Sequence, residues 1–380
     1  MLRSKISLLL VFYLILFSCV KQKTKIQEIA ENRSDAKVTF NLEREINLPI
    51  INASISLWGN NLLIFGYDVV DNKTYPISIY DLDLNLIKSY FIPFGQGPGD
   101  ISAMTFLFIT KNLIYAIDIQ NHRISIFDIN SNMKLVKIIR VKSAIYLPCL
   151  SEDINYIAFS KIEWIKNQRA RCPVYCAKFP SLENPCKFDE IISNNIFDED
   201  FRSILGEAPY VDYFFRNNYL YILDMRRYIL TKVEINSGKV DKKIVNFKTI
   251  KNNVNDLEKE RIVKMLMGRR VNPNEYTLSD NLVPTSWMIP LGKGFAIIRR
   301  HNFEQYKDGE LEADYFDYDL NMIGKIKLPY FYRYNSFRYP GYGYYKYYAG
   351  NYLFTIEDTD ENWKLKKWYV DESKIGPTEK

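Results

Sequence analysis

The residue type best suited to chemistry in this chain is arginine. Arg123, Arg226, Arg227, Arg299 and Arg300 come from three separated segments, each following an apolar run and a polar turn. A guanidinium is planar, permanently charged and forked, so it matches carboxylate, sulfate or phosphate oxygens in pairs. The only two histidines, His122 and His301, fall in the same turns, and Trp164 offers an aromatic surface in another. These eight residues form the candidate ligand-binding set, and an acidic glycan is the ligand class they suit. A second reading stands beside it. Asp118, Asp224 and Asp358 lie close to the arginines and would convert them into structural staples.

Catalytic signals are sparse. Two histidines cannot build a three-histidine metal centre, and no G-x-S-x-G, H-E-x-x-H or aspartate-box pattern occurs. A carboxylate-based hydrolase or a Tyr/Arg lyase needs no short motif. Binding without catalysis, cofactor or metal is the expectation. A lyase or hydrolase acting on acidic polysaccharides is the alternative, and a protein–protein scaffold the third reading.

The elements that must carry these residues repeat. Runs such as "NNLLIFGYD", "KNLIYAIDI", "NNYLYILDM" and "GNYLFTIED" recur with intervals of 41 to 75 residues between neighbouring units. Each is followed by a second run ending in acid and turn residues, for example "ISIYDLDLN" and "ISIFDINSN", and most by a third. β-Branched and aromatic residues bounded by Asn, Asp and Gly indicate strands. Four strands per unit at this spacing describe propeller blades. The expected fold is all-β: a six-bladed β-propeller of four-stranded blades spanning residues 38–375. "VTFNLEREINL" (Val38 to Leu48) precedes the first unit, and the last unit lacks its outer strand. The N-terminal strand should therefore close the last blade, which removes an exposed edge. On this map, turns inside blades and links between them share one face, and 12 of the 18 arginines fall there.

Three segments stand apart. "VNDLEKERIVKMLMG", about 254–268, carries a capping box at Asn255 and Glu258 and a stop at Gly268, which predicts an inserted helix. "PYFYRYNSFRYPGYGYYKYY" (Pro329 to Tyr348) is crowded with tyrosine, suited to stacking on sugars or to packing on its own blades. "FGQGPGD" (Phe94 to Asp100) looks like a phosphate-cradling loop but precedes a strand, not a helix, and lacks the Lys-Ser/Thr ending. It is expected to link two blades, with its glycines supplying positive φ. "GQGPGDI" followed by "NLIYAIDIQNHRISIFDI" resembles the G-x-GPGE-F stretch and next blade of TolB-like six-bladed propeller lipoproteins, distantly similar to NHL-repeat propellers. Asp100 stands where that family usually has Glu. The resemblance implies fold and envelope location, and little about activity.

Arg3 and Lys5 precede the apolar run Ile6 to Phe17, too short to span a bilayer but right for a signal peptide over residues 1–18. "LFSC" resembles a lipobox, so Cys19 is expected to carry lipid and residues 19–37 to form a flexible tether. Anchoring of this kind places the protein in a bacterial envelope, on the periplasmic or surface side of the outer membrane. Without Arg3 and Lys5 the 51 basic residues fall to 49, against 45 acidic ones. That near-balance excludes the footprint of a nucleic-acid binder, and a monomer is expected. Cys149, Cys172, Cys176 and Cys186 suggest disulfides of undetermined pairing in an oxidising compartment, with zinc disfavoured by the spacing.

Overall fold

The computed structural model describes residues 26–29, 36–68, 74–102, 105–142, 145–151, 153–161, 163–165, 169–171, 173–182, 185–188, 211–225, 227–245, 285–299, 310–329, 346–358 and 363–375. The expected helix and most of the tyrosine-rich segment lie outside them.

Two N-terminal strands, β1 (Ile26–Ile29) and β2 (Thr39–Leu48), precede the repeat. Blade one comprises β3 (Ile50–Trp58), β4 (Asn61–Asp68), β5 (Thr74–Asp81) and β6 (Leu86–Pro93). Blade two comprises β7 (Thr105–Thr110), β8 (Leu113–Asp118), β9 (Arg123–Asp128) and β10 (Lys134–Arg140). Blade three has β11 (Tyr146–Leu150) and β12 (Tyr156–Ser160). A separate hairpin follows, β13 (Glu163–Ile165) with β14 (Arg169–Arg171), before β15 (Val174–Lys178) and β16 (Cys186–Lys187) complete the blade. Blade four is β17 (Val211–Arg216), β18 (Tyr219–Asp224), β19 (Ile229–Glu234) and β20 (Val240–Val245). Blade five is β21 (Thr285–Pro290), β22 (Gly294–Arg299), β23 (Glu310–Asp317) and β24 (Met322–Pro329). Blade six supplies β25 (Lys346–Ala349), β26 (Tyr352–Asp358) and β27 (Trp363–Asp371).

The strand order is antiparallel and sequential within each blade, and β2 completes blade six beside β27. Its register runs from Thr39 opposite Asp371 to Leu48 opposite Trp363. The six-bladed propeller with terminal strand closure is thus the fold. Inner strands line the axis, with β3 beside β7, β17 beside β21 and β25 back beside β3.

Apolar residues on both faces of each middle strand meet the neighbouring blade, giving one core per interface. Leu63, Phe65 and Ile77 pack on Leu107 and Phe127 between blades one and two. Tyr221 and Tyr228 pack on Phe295 and Phe316 between blades four and five. At the closure seam, Leu48, Phe354 and Leu365 pack on Ile55, Leu62 and Leu84. Polar fasteners cross that seam too. Lys367 Nζ, which also meets Glu43 of its own blade at 3.3 Å, crosses to Asp83 at 2.8 Å, while Arg44 donates to Asn85 Oδ1 at 3.1 Å and to the Asp83 carbonyl.

The acid-and-turn endings seen in the sequence are Asx turns. In "DLDLN" the Asp81 carboxylate accepts from the Asp83 and Asn85 amides at 2.9 and 2.8 Å. In "DYDLN" Asp317 does the same for Asp319 and Asn321. Leu84 and Leu320 sit in these turns at φ 62° and 63°, a conformation unfavourable for a branched side chain. Both are buried, so core packing holds the backbone there.

Residues 19–37 are not wholly a loose tether. β1 adds to blade four as a fifth strand, parallel to β20, with Ile26 opposite Lys242 and Ile29 opposite Val245. Further on, the Ala36 amide donates to the Lys325 carbonyl on the outer strand of blade five at 2.7 Å. The N-terminal segment therefore touches the outer edges of blades four and five before completing blade six. Tertiary pairing decides this, because "IQEI" alone is too short to read as a strand.

Candidate functional site: the arginine-bearing face

The link from blade one to blade two is the best-defined part of this face. Gly95 N donates to Ile101 O and Ile101 N to Pro93 O, each at 3.0 Å, which pins both ends of the loop. The Asp100 carboxylate folds inward and accepts from Gly97 N at 2.9 Å. A Cβ on Gly95 or Gly97 would stand 2.5 or 2.7 Å from Asp100 Oδ2. A Cβ at either position would therefore push the Asp100 carboxylate out of its hydrogen bond to Gly97 N. The expected positive φ is absent here: among the described glycines only Gly59, Gly238 and Gly350 have it.

Arg123, at the start of β9, holds this loop from the next blade. Its Nη1 donates to the Gln96 and Gly97 carbonyls at 3.2 and 2.8 Å, its Nη2 to Asp100 O at 2.8 Å, and its Nε to Asp118 at 3.3 Å. Asp118, 1% exposed, also accepts from Ser102 N and Oγ and from both nitrogens of Asn121. A buried charge is tolerable only when so completely paired. Of the two readings open from sequence, these contacts are those of a staple.

Arg299, at the end of β22, donates from Nε to both Asp314 oxygens at 2.8 Å. Asp314 is fully buried in β23 and also accepts from the hydroxyl of Tyr228, which comes from the turn of blade four. Burial pushes the Asp314 carboxyl above its ordinary pKa, against the opposing pull of Arg299 and Tyr228. This trio joins blades four and five.

Arg227, in the turn between β18 and β19, is more open, with its side chain one third exposed. Its Nε and Nη2 both meet Asp224 Oδ2 at 2.6 Å. Lys242 on β20 lies near enough for its pKa to be lowered, by burial first and by the Arg227 charge second, with Asp224 opposing. Two cations thus lie close to one another at this turn.

His122 is exposed in the turn before Arg123, at φ 49°. Trp164 lies on the β13–β14 hairpin, opposite Ala170. Arg226, Arg300, His301 and Cys172 lie outside the described residues. Among the described residues no disulfide joins Cys149, Cys176 and Cys186 to one another. Among the described residues no group of three or more His, Cys, Asp or Glu is placed to hold a metal.

Sequence reasoning paired Asp118 and Asp224 with the arginines but missed Asp314, Tyr228 and Lys242. Asp118 and Asp224 carry a readable signal, an acid at the end of a second strand. Asp314 has none, being 15 residues from Arg299 and 86 from Tyr228.

No protein-family model matches this chain, and no curated protein matches it in sequence. Solved structures do match. One named as an exported protein of Bacteroides fragilis NCTC 9343 is 12% identical, with a TM-score of 0.51 over 91% of this chain and 100% of its own. Virginiamycin B lyase from Staphylococcus aureus is 9% identical, with a TM-score of 0.42 over 88% of this chain and 99% of its own. Hydrazine synthase of Kuenenia stuttgartiensis is 12% identical, with a TM-score of 0.39 over 81% of this chain and 74% of its own. At 12% identity the likeness to the Bacteroides protein shows a shared fold and nothing finer.

Proposed function

We propose that this protein is a lipid-anchored, TolB-like propeller of a bacterial envelope that binds an anionic ligand, an acidic glycan being the class that fits. The observation that supports it is on blade four, where the one-third-exposed Arg227 guanidinium meets Asp224 and the Lys242 ammonium lies close enough to feel the Arg227 charge. An anionic ligand there, a uronate or a sulfate ester, would be attracted by both cations and meet a forked donor. Arg123 holds the link between blades one and two, Arg299 joins blades four and five, and neither is itself the ligand's partner. The exported Bacteroides neighbour is consistent with an envelope location, as is the lipobox-like stretch before Cys19.

The test is binding to an array of uronic-acid and sulfated oligosaccharides, with salt titration. Wild-type binding should weaken as salt screens the charges, and Arg227→Ala with Lys242→Ala should lower affinity at least tenfold. Unchanged binding by the double variant, or binding of neutral sugars alone, would overturn the proposal. Release of an unsaturated or reducing end would replace it with the lyase or hydrolase reading.

A further inference from the structure

Blade three carries a row of small, soft side chains. In the ladder, Cys149 stands opposite Ala158, Ala158 opposite Cys176, and Cys176 opposite Cys186. All four positions are in lateral register, so their side chains share one face of the sheet. Cys149 is separated from Cys176 by a whole strand, roughly 9.5 Å between Cα atoms, beyond the ~7 Å limit for a disulfide. Cys176 and Cys186 are direct partners, and residues so placed lie about 4.5–5.5 Å apart, inside the disulfide range.

The blade also has a weakness at this point. Its outer strand, β16, is two residues long, whereas the outer strands of the other five blades run from six to ten. Ladder hydrogen bonds alone hold so short a strand poorly.

We propose that Cys176 and Cys186 are joined by a disulfide in the mature protein, fastening β16 to β15. The oxidant is a protein or small molecule bearing a reactive disulfide. The exposed Cys186 thiolate attacks one of its sulfurs and expels a thiolate. Deprotonated Cys176 then attacks the Cys186 sulfur and expels the other thiolate. Two protein thiols lose two electrons and two protons, and the oxidant's disulfide becomes a dithiol. Burial raises the Cys176 pKa to about 12 in the folded blade, so its thiolate is scarce once the blade has packed. The bond is therefore made before packing is complete. Later reduction by attack on Cys186 must expel a poor leaving group, which makes the bond durable.

The test is refolding of the full chain in a buffer of reduced and oxidised glutathione, followed by alkylation and peptide mapping under non-reducing conditions. Chymotryptic cleavage after Tyr175 separates Cys172 from Cys176. The expected result is one cross-link joining Cys176 to Cys186, retained in Cys172→Ala and lost in Cys186→Ser, with Tm lowered by a few degrees in the latter. Reduced chain folded first and then oxidised should stop at a mixed disulfide on Cys186. Alkylation of both Cys176 and Cys186 after oxidative refolding, or a cross-link through Cys172 or Cys149, overturns the proposal. Because the refolding is done in vitro, it stands or falls separately from the envelope location.

Discussion

Arg123 and Asp118 face each other across the last rung of β8 and β9, 3.3 Å apart and buried, yet their pairing serves the loop before their own blade. The carboxylate fixes Nε, which leaves the two terminal nitrogens aimed at the carbonyls of Gln96, Gly97 and Asp100. Removing the guanidinium takes the paired cation from a buried carboxylate and the donors from three carbonyls. Arg123→Ala should cost about 3–5 kcal/mol of stability in denaturant unfolding. Arg123→Lys should rescue little, because a point charge cannot fork between four acceptors. Arg227→Ala, whose guanidinium is partly open to solvent but whose partner Asp224 is buried, should cost less, about 1–3 kcal/mol. Equal losses at both positions would refute this division of roles.

The glycines of the same loop should differ among themselves. Gly97→Ala places Cβ against Asp100 Oδ2 and should cost about 1–3 kcal/mol, whereas Gly99→Ala meets nothing within 4 Å and should be tolerated. Asp100→Ala in the Gly97→Ala background should relieve the clash, so a double-mutant cycle should show strong coupling. Gly294→Ala is the severest case. Its Cβ would stand 2.0 Å from the Phe316 carbonyl, a backbone atom that cannot step aside. Poor expression or a loss of about 3 kcal/mol or more is expected.

The closure seam should respond to pH at both ends. The hydrogen bond from Lys364 holds the Glu45 carboxyl below its ordinary pKa. That contribution is present above the unfolded value and is lost as pH falls through the folded one. Burial works against the Lys367 ammonium, but hydrogen bonds from it to Asp83 and Glu43 outweigh burial and raise its pKa. Its contribution is complete below the unfolded value and disappears as pH rises through the folded one. Thermal melts across pH should therefore lose part of their acid slope in Glu45→Gln and part of their alkaline slope in Lys367→Met. Unaltered slopes would show that the apolar cluster alone sets the seam.

Anchoring has its own measurement. A palmitate analogue fed to expressing cells should label the wild type and not Cys19→Ala. Equal labelling of the two would exclude acylation at Cys19.

The blades were legible in the sequence because their strands are written in β-branched and aromatic residues at a spacing that only a propeller fits. Even the pairing of residues 38–48 with β27 followed from counting strands. The site was less legible, for physical reasons. An arginine's role depends on which carboxylate reaches it, and Asp314 arrives from another strand while Tyr228 arrives from another blade. Gly95 and Gly97 signal a tight place, but the cause is the Asp100 side chain and not their own torsions. β1 has no strand signature of its own and exists through the edge of β20.

The pairing of β2 with β27 also bears on the order of folding. Glu45 and Lys364, which meet across that pair, lie 319 residues apart in the chain. No local contact can bring them together, so the loop-closure entropy of nearly the whole chain must be met before the seam forms. Blades one to five each take their four ladder strands from one stretch of sequence, blade three with a hairpin inserted, and each can assemble as it emerges. Blade six cannot, since its outer strand is made first and its inner three last. A chain released early therefore keeps β2 as an unpaired edge at one end and an open blade at the other, the exposed strand edges from which aggregation starts. Completion of synthesis, more than any single contact, is the step that protects this fold from itself.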